Sequence, residues 1–212
     1  MKNTIITLTL AAGLLLGARA PAAMNDSVVK LQKRWAEVRY QLPAKQRKDG
    51  YKDLAKQADG VVASQPTNAE AHIWAGIIYS TWAGDSGPFS AMKRVKHARK
   101  ELEKALEIDP NALNGAAYTS LGALLYQIPG LLGGDDEAAE KDLRKGLEMN
   151  PDGIDANYFY AAYLADQKRY QEAENYLKAA AAAPPRPGRA VADAGRKHEI
   201  EVLEQKVGNK LK

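Results

Sequence analysis

Apolar positions along this chain recur mostly at intervals of three and four residues, the spacing of one face of an α-helix. Val28, Leu31, Trp35 and Val38 mark such a face between about Asp26 and Gln41, and Pro43 forces a break because proline cannot donate the next helical hydrogen bond. A second helix is predicted over about 45–64. Further along, small and large residues alternate at helical spacing in three similar phrases: Ala98, Leu102, Ala105; then Ala139, Leu143, Gly146; then Ala173, Leu177, Ala180, the last preceded by Tyr170. The segment before each phrase carries its own small and large pair, Gly76 with Tyr79, Gly122 with Leu125 and Ala161 with Leu164. Antiparallel helices approach closely only where a small residue on one accepts a large residue from the other, so the phrases predict packed helix pairs. Prolines punctuate the pattern. Pro66, Pro110, Pro151 and Pro185 stand 44, 41 and 34 residues apart, a repeat with two enlarged units. The excess falls in Thr81–Ser90 and Ile128–Gly134, where glycine and proline predict loops. Asp135, Asp136 and Glu137 then start a helix, where capping oxygens and negative charge are favoured.

Composition turns this pattern into a fold class. The 212 residues include 37 alanines against nine valines, nine isoleucines and six threonines, a bias toward helix over strand that predicts an all-α protein. With 45% hydrophobic and 26% charged residues, the chain is an ordinary folded one rather than a disordered or polytopic membrane protein. After Pro184-Pro185-Arg186-Pro187-Gly188 a charged helix is predicted from Ala190 to about Val207. Its narrow stripe of Ile200, Leu203 and Val207 suits a terminal cap with a polar outer face.

The recurring small-large-small spacing closed by proline resembles the tetratricopeptide repeat (TPR) family. That resemblance implies a right-handed solenoid of about four antiparallel helix pairs, near 26–65, 68–109, 112–150 and 153–184, forming an array over 26–189 with a capping helix at 190–207. In such a superhelix the first helix of each pair lines a concave groove. The family's groove positions fall on Ile73 and Ile77, on Thr119, Ala123 and Tyr126, and on Asp155, Tyr158 and Ala162, with Asn157 adjacent. This wall is expected to be aromatic, amidic and mildly acidic, without the lysine and arginine set that clamps a C-terminal carboxylate in chaperone-binding members. Tyr126 and Tyr158 fit either groove lining or interhelix packing, whereas Tyr160, Trp74 and Trp82 are assigned to packing.

Several phrases are similar to a narrower group, exported bacterial proteins related to the T-component of TRAP-type solute transporters. These phrases are Gly115–Gly122, Ile128-Pro129-Gly130, Gly134-Asp135-Asp136, Asp152–Tyr160 and Pro184–Arg189, which together span roughly residues 70 to 195. The relatives carry a longer aromatic loop after the proline-glycine, where this chain has Leu131-Leu132. The resemblance implies a binding or assembly role in the cell envelope, with a solute-binding accessory of a TRAP-type transporter as the alternative.

The N-terminus fits that compartment. Lys2, the apolar run Ile5–Leu16 and Ala20-Pro21-Ala22 read as a secretory signal peptide over residues 1–22. An uncleaved anchor is the other reading, although a run of twelve residues is shorter than the roughly 20 needed to span a bilayer. Cleavage would remove Lys2 and Arg19 and bring the formal charge from +4 to +2. That charge, spread over interleaved signs, lacks the dense basic face that nucleic-acid binding requires.

Candidate chemistry is sparse. Cysteine is absent, which excludes disulfides, thiolate metal sites, a cysteine nucleophile and attachment of lipid through cysteine. His72, His97 and His198 lie far apart in sequence. His97 and Glu101 share a helix face, but with no further histidine at helical spacing His97 reads as a solvated residue on a basic face, and the Glu101, Glu103 and Glu107 side as an internally paired one. Gly130–Gly134 lacks the lysine and serine of a phosphate loop. The sequence therefore predicts a non-enzymatic scaffold, without metal or cofactor, that binds a protein or peptide in its groove after export to the periplasm or beyond, with a small-molecule ligand as the alternative.

Overall fold

The computed structural model describes residues 25–212. Within them nine α-helices follow one another: α1 Asp26–Tyr40, α2 Ala44–Ser64, α3 Ala69–Gly84, α4 Pro88–Ile108, α5 Ala116–Gln127, α6 Asp136–Met149, α7 Ile154–Asp166, α8 Tyr170–Ala182 and α9 Ala190–Leu211. No strand occurs among the described residues. The first eight form four successive pairs; the last three are packed most extensively within themselves, whereas α2 meets α3 more extensively than it meets α1.

The small-large-small phrases form the contacts within these pairs. Ala98, Leu102 and Ala105 are buried, as are Ala139, Leu143 and Gly146, and Ala173, Leu177 and Ala180. The glycines explain the close approach. A Cβ on Gly76 would lie 2.5 Å from Leu102 Cγ, and one on Gly122 would lie 2.8 Å from both Leu143 Cγ and the Ala139 carbonyl oxygen. In the first pair Val28, Leu31, Trp35 and Val38 meet Tyr51, Leu54 and Ala58 in one buried cluster.

Helix ends follow the punctuation. Pro66, Pro110 and Pro151 each stand one residue beyond a C-cap, and in the last unit Pro184, not Pro185, holds that position. Asn25, Asn68 and Asp135 cap α1, α3 and α6 with their side-chain oxygens.

Two features depart from the expected layout. Thr81–Ser90 is mostly helix, since α3 runs through Gly84 and α4 begins at Pro88. Thr81 is held inside α3 by donating to the Ile77 carbonyl while accepting the Trp35 indole N–H, and proline's fixed φ suits a first helical turn. The extra residues of this unit therefore lengthen helices rather than a loop. Secondly, α9 is longer than the predicted cap and does more than cover α8. It also contacts α1 and α7, crossing α1 where Gly195 meets the Tyr40 ring, so closely that a Cβ there would stand 2.3 Å from it.

Candidate functional site

The first helices of the pairs line the concave side of the array, and α9 closes over it. Between them lies a cavity of about 600 Å³. Its wall is built from Trp35 and Arg39 on α1, Trp74 and Ile77 on α3, Thr119, Ala123 and Tyr126 on α5, and Asp155 and Tyr158 on α7. Arg186 and Arg189 before α9, with Arg196 and Glu199 on it, complete the enclosure.

Six of the nine groove residues named from sequence thus face one space: Ile77, Thr119, Ala123, Tyr126, Asp155 and Tyr158. Ile73, Asn157 and Ala162 do not line it. Ile73 is fully buried against Ala105 and Ala117, and Asn157 is buried while its amide donates to the Pro151 and Gly153 carbonyls at 2.7 and 3.0 Å. Asn157 ties down the start of α7. Tyr126 combines both readings, since it lines the cavity and packs edge-on against Tyr163 with 5.7 Å between ring centres. Tyr158 packs on Phe159 and under the Arg196 guanidinium.

The wall's charge differs from expectation. It was expected to lack an arginine set, yet Arg39, Arg186, Arg189 and Arg196 all face the cavity. None of the four occupies a groove position of an inner helix pair; three arrive from the C-terminal segment folding across the groove. Asp155 is the anchor of this closure. It accepts from Arg196 Nε at 2.8 Å and from Arg186 Nη1. Arg186 also donates through its backbone N–H and Nε to Asp193, at 2.8 and 2.7 Å. Glu199 accepts from Arg196 Nη1 and from Arg39 Nη2, the latter at 3.1 Å, and so joins α9 to α1. Arg196 is only 6% exposed, and its guanidinium lies 4.3 Å from the Tyr158 ring centre and 4.5 Å from that of Phe159.

These contacts set the ionisation of the site. Burial by itself would raise the Asp155 carboxyl, but Arg196, Arg186 and Arg189 outweigh it and hold the group well below the usual carboxylate range. Burial would likewise lower the Arg196 guanidinium, yet Asp155 and Glu199 keep it above its ordinary value. Tyr40, next to Glu199, is pushed up to about 12 by burial. Asp155, Arg196 and Tyr40 keep their ordinary charge states at neutral pH.

Two further parts of the wall were not anticipated from the sequence. Leu113, Asn114 and Gly115 form a left-handed turn between α4 and α5, with φ of 50°, 55° and 76°, and place Leu113 and Asn114 against the cavity. Non-glycine residues seldom adopt this region, so the packing around Leu113 must hold it there. Arg186, Arg189 and Arg196 had a legible signal, an arginine cluster beside a proline run, but nothing local says which face it covers.

The histidines also change place. Glu101 is buried, not solvated, and pairs with His72 Nδ1 at 2.6 Å; His97 Nε2 stands 3.7 Å from its other oxygen and 3.6 Å from Asp59. Glu103 and Glu107 do pair along the surface, with Arg99 and Lys104. Among the described residues no group of three histidines or carboxylates is arranged to hold a metal. None of the described helices is long and apolar enough to cross a membrane.

Among solved structures the chain is similar to TTC0263, a thermophilic TPR protein of Thermus thermophilus, with a TM-score of 0.55 and 18% identity over 76% of this chain and 78% of that one. It is also similar to MamA of Desulfovibrio magneticus RS-1, with a TM-score of 0.46 and 14% identity over 89% of this chain and 93% of that one. YrrB, described as a TPR protein with an unusual peptide-binding site, aligns with a TM-score of 0.43 and 18% identity over 88% of this chain and 89% of that one. At such identities the likeness is one of fold, and TTC0263 carries it: the chain is an all-α solenoid of TPR type. No curated protein matches it in sequence. Residues 33–207 match the family described as the TRAP transporter T-component, and with most of its length covered the chain belongs to that family.

Proposed function

We propose that this protein is a non-catalytic binding component of a TRAP-type solute transport system, exported to the bacterial cell envelope by a leader over residues 1–22, and that it takes a compact ligand into its concave cavity. The observation that carries this reading is the closure of the groove. An open TPR groove suits an extended chain running along it, whereas here Arg186 and Arg196 tie the C-terminal segment to Asp155 across that path. What remains, about 600 Å³, falls in the range of small-molecule sites, roughly 300–1,000 Å³, and combines aromatic walls with a few polar groups as such sites do. The family supplies the transport context. The test is native mass spectrometry of the protein expressed with its leader and recovered from the envelope fraction. The expected result is a chain starting near Ala22 that carries a small-molecule adduct, lost when Ala123→Trp fills the cavity. A full-length chain would refute the leader, and an adduct unaffected by Ala123→Trp would refute the cavity.

One feature favours a second role as a scaffold for another protein. Leu131 and Leu132, on the turn between α5 and α6, are 101% and 54% exposed, and adjacent apolar side chains held in water suit a protein contact. A photo-cross-linker at Leu131 in intact cells should capture an envelope protein, and Leu132→Ser should abolish the capture without changing helix content. Capture that survives Leu132→Ser would refute this contact.

A further inference from the structure

Away from the cavity, the outer faces of α2 and α4 carry a second concentration of charge. Lys45, Lys48, Lys52 and Lys56 follow one another on α2 at intervals of three, four and four residues, so they share one helix face, and all four are exposed. Asp59 stands three residues further along the same row. Its carboxylate accepts from Tyr79 at 2.8 Å and lies 3.6 Å from His97 Nε2, which turns this face of α2 toward α4. On α4, Lys93 and Lys100 stand four residues before and three after His97, and Lys96 is adjacent to it; these three are exposed as well. The Asp59–His97 contact thus joins the two rows into one strip of seven lysines, running along about 16 Å of α2 and about 10 Å of α4. None of the seven makes an ion pair or hydrogen bond among the described residues, and residues 1–24 contain no aspartate or glutamate.

The later helix pairs are built differently. On α6 and α8, Arg144, Lys145 and Lys178 are each paired with a carboxylate of their own helix, which leaves only Lys141. On α2 and α4 only Arg99 and Lys104 are paired in that way. Charge is accordingly polarised along the array: residues 25–108 hold 15 lysines and arginines against ten acids, and residues 109–212 hold 13 against 16. Signs that interleave along the sequence are sorted by the fold, which sets Lys56 near Lys93.

We propose that this strip docks the protein on an anionic phospholipid surface. Basic side chains near such a surface each add to the attraction, which falls off within a Debye length. Lysine suits this task, because its compact, hydrated charge on a flexible stem needs no fixed partner geometry, and a fluid headgroup layer offers none. A protein partner fits less well. The cores of protein interfaces are depleted of lysine and anchored by aromatic or large apolar side chains, and the exposed large hydrophobics Leu131, Leu132, Val202 and Leu211 all lie outside α2 and α4. Neither α2 nor α4 contributes to the cavity wall, so the docked protein keeps its concave side free.

The test is flotation of the processed protein with vesicles of phosphatidylcholine, alone or with about 30% phosphatidylglycerol. Binding is expected on the anionic vesicles, at least about tenfold weaker on the neutral ones, and reversed by about 0.5 M salt. Combining Lys52→Ala, Lys56→Ala, Lys93→Ala and Lys96→Ala should weaken binding at least about tenfold. The same number of changes at exposed lysines elsewhere, Lys141→Ala, Lys197→Ala, Lys206→Ala and Lys210→Ala, should weaken it less than about twofold. Both variants should keep the helix content of wild type in circular dichroism, since alanine is a good helix former. Equal binding to neutral and anionic vesicles would overturn the electrostatic contact, and equal losses in the two variants would overturn the strip. Binding to poly-glutamate but not to anionic vesicles would overturn the lipid assignment in favour of an acidic protein, and binding to neither would overturn the docking face.

Discussion

Replacing Asp155 with alanine removes the carboxylate through which α7 holds the C-terminal segment across the groove. The loss can be sized from its contacts. Asp155 accepts one hydrogen bond from Arg196 Nε at 2.8 Å and another from Arg186 Nη1, and a charge-assisted bond contributes about 1.5–3 kcal/mol. A third of the Asp155 side chain is exposed, but it opens into the cavity rather than onto the outer surface, so the lower end applies. Two bonds then give about 3 kcal/mol, matching the lower end of the roughly 3–5 kcal/mol lost when one partner of a buried pair is removed. For a fold of this size each kcal/mol moves Tm by about 2–4 °C, so Asp155→Ala should melt about 6–12 °C below wild type. Urea unfolding at pH 7 gives the free energy directly, with the exposed Asp152→Ala as a control expected within about 0.5 kcal/mol of wild type. The dependence on pH has a definite sign. The folded carboxyl is depressed below its ordinary value of 3.8, so its contribution is complete above about pH 4 and declines as pH falls toward the folded value. The gap between wild type and Asp155→Ala should therefore narrow in acid. A gap under about 1 kcal/mol at pH 7, or one that widens below pH 4, would refute the clasp.

Two further predictions test the helix pairs and the surface network. Gly122→Ala should destabilise by about 1–2 kcal/mol, because a Cβ would meet the Ala139 carbonyl oxygen at 2.8 Å, whereas Gly60→Ala, with open space around it, should stabilise by about 0.5–1 kcal/mol; equal signs in thermal melts would contradict the close-packing account. Glu140 accepts from Arg169 at 2.8 Å and Arg144 at 2.7 Å, and chiefly the hydrogen bond from Arg169, against partial burial, holds its carboxyl at about 2. Glu140→Gln should lose about 1 kcal/mol of stability above pH 4.5, a modest figure because water screens the network, and the deficit should vanish as pH falls toward 2; a deficit independent of pH would show that charge is not its source.

Much of the solenoid was legible because each helix pair is specified by residues close in sequence. Ala98, Leu102 and Ala105 select the face that meets Gly76, and the same relation recurs with Leu143 and Gly122. Such units are stabilised mainly by themselves and their neighbours, so a local period reports most of the packing. The groove positions implied by the TPR resemblance also placed six residues on one space. They missed for Ile73 and Asn157 because the helical period gives a direction for a side chain but not the depth at which a neighbouring helix covers it. The local pattern failed for Thr81–Ser90 because glycine and proline mark helix ends as readily as loops, and Thr81 found its partner in Trp35, 46 residues away.

The amino-acid sequence by itself determined an all-α repeat array, its paired helices, and the small residues that let them touch. Only the tertiary structure decided what the array encloses. Asp155 meets Arg186 and Arg196 across 31 and 41 residues, and Arg39 meets Glu199 across 160, separations that no local pattern records. The last helix has alternatives of similar hydrophobic character, lying outward as a cap or inward across the groove. The choice depends on whether its arginines find carboxylates placed by distant helices. Here they do, all but one, and that complementarity turns an open groove into a charged, partly enclosed cavity.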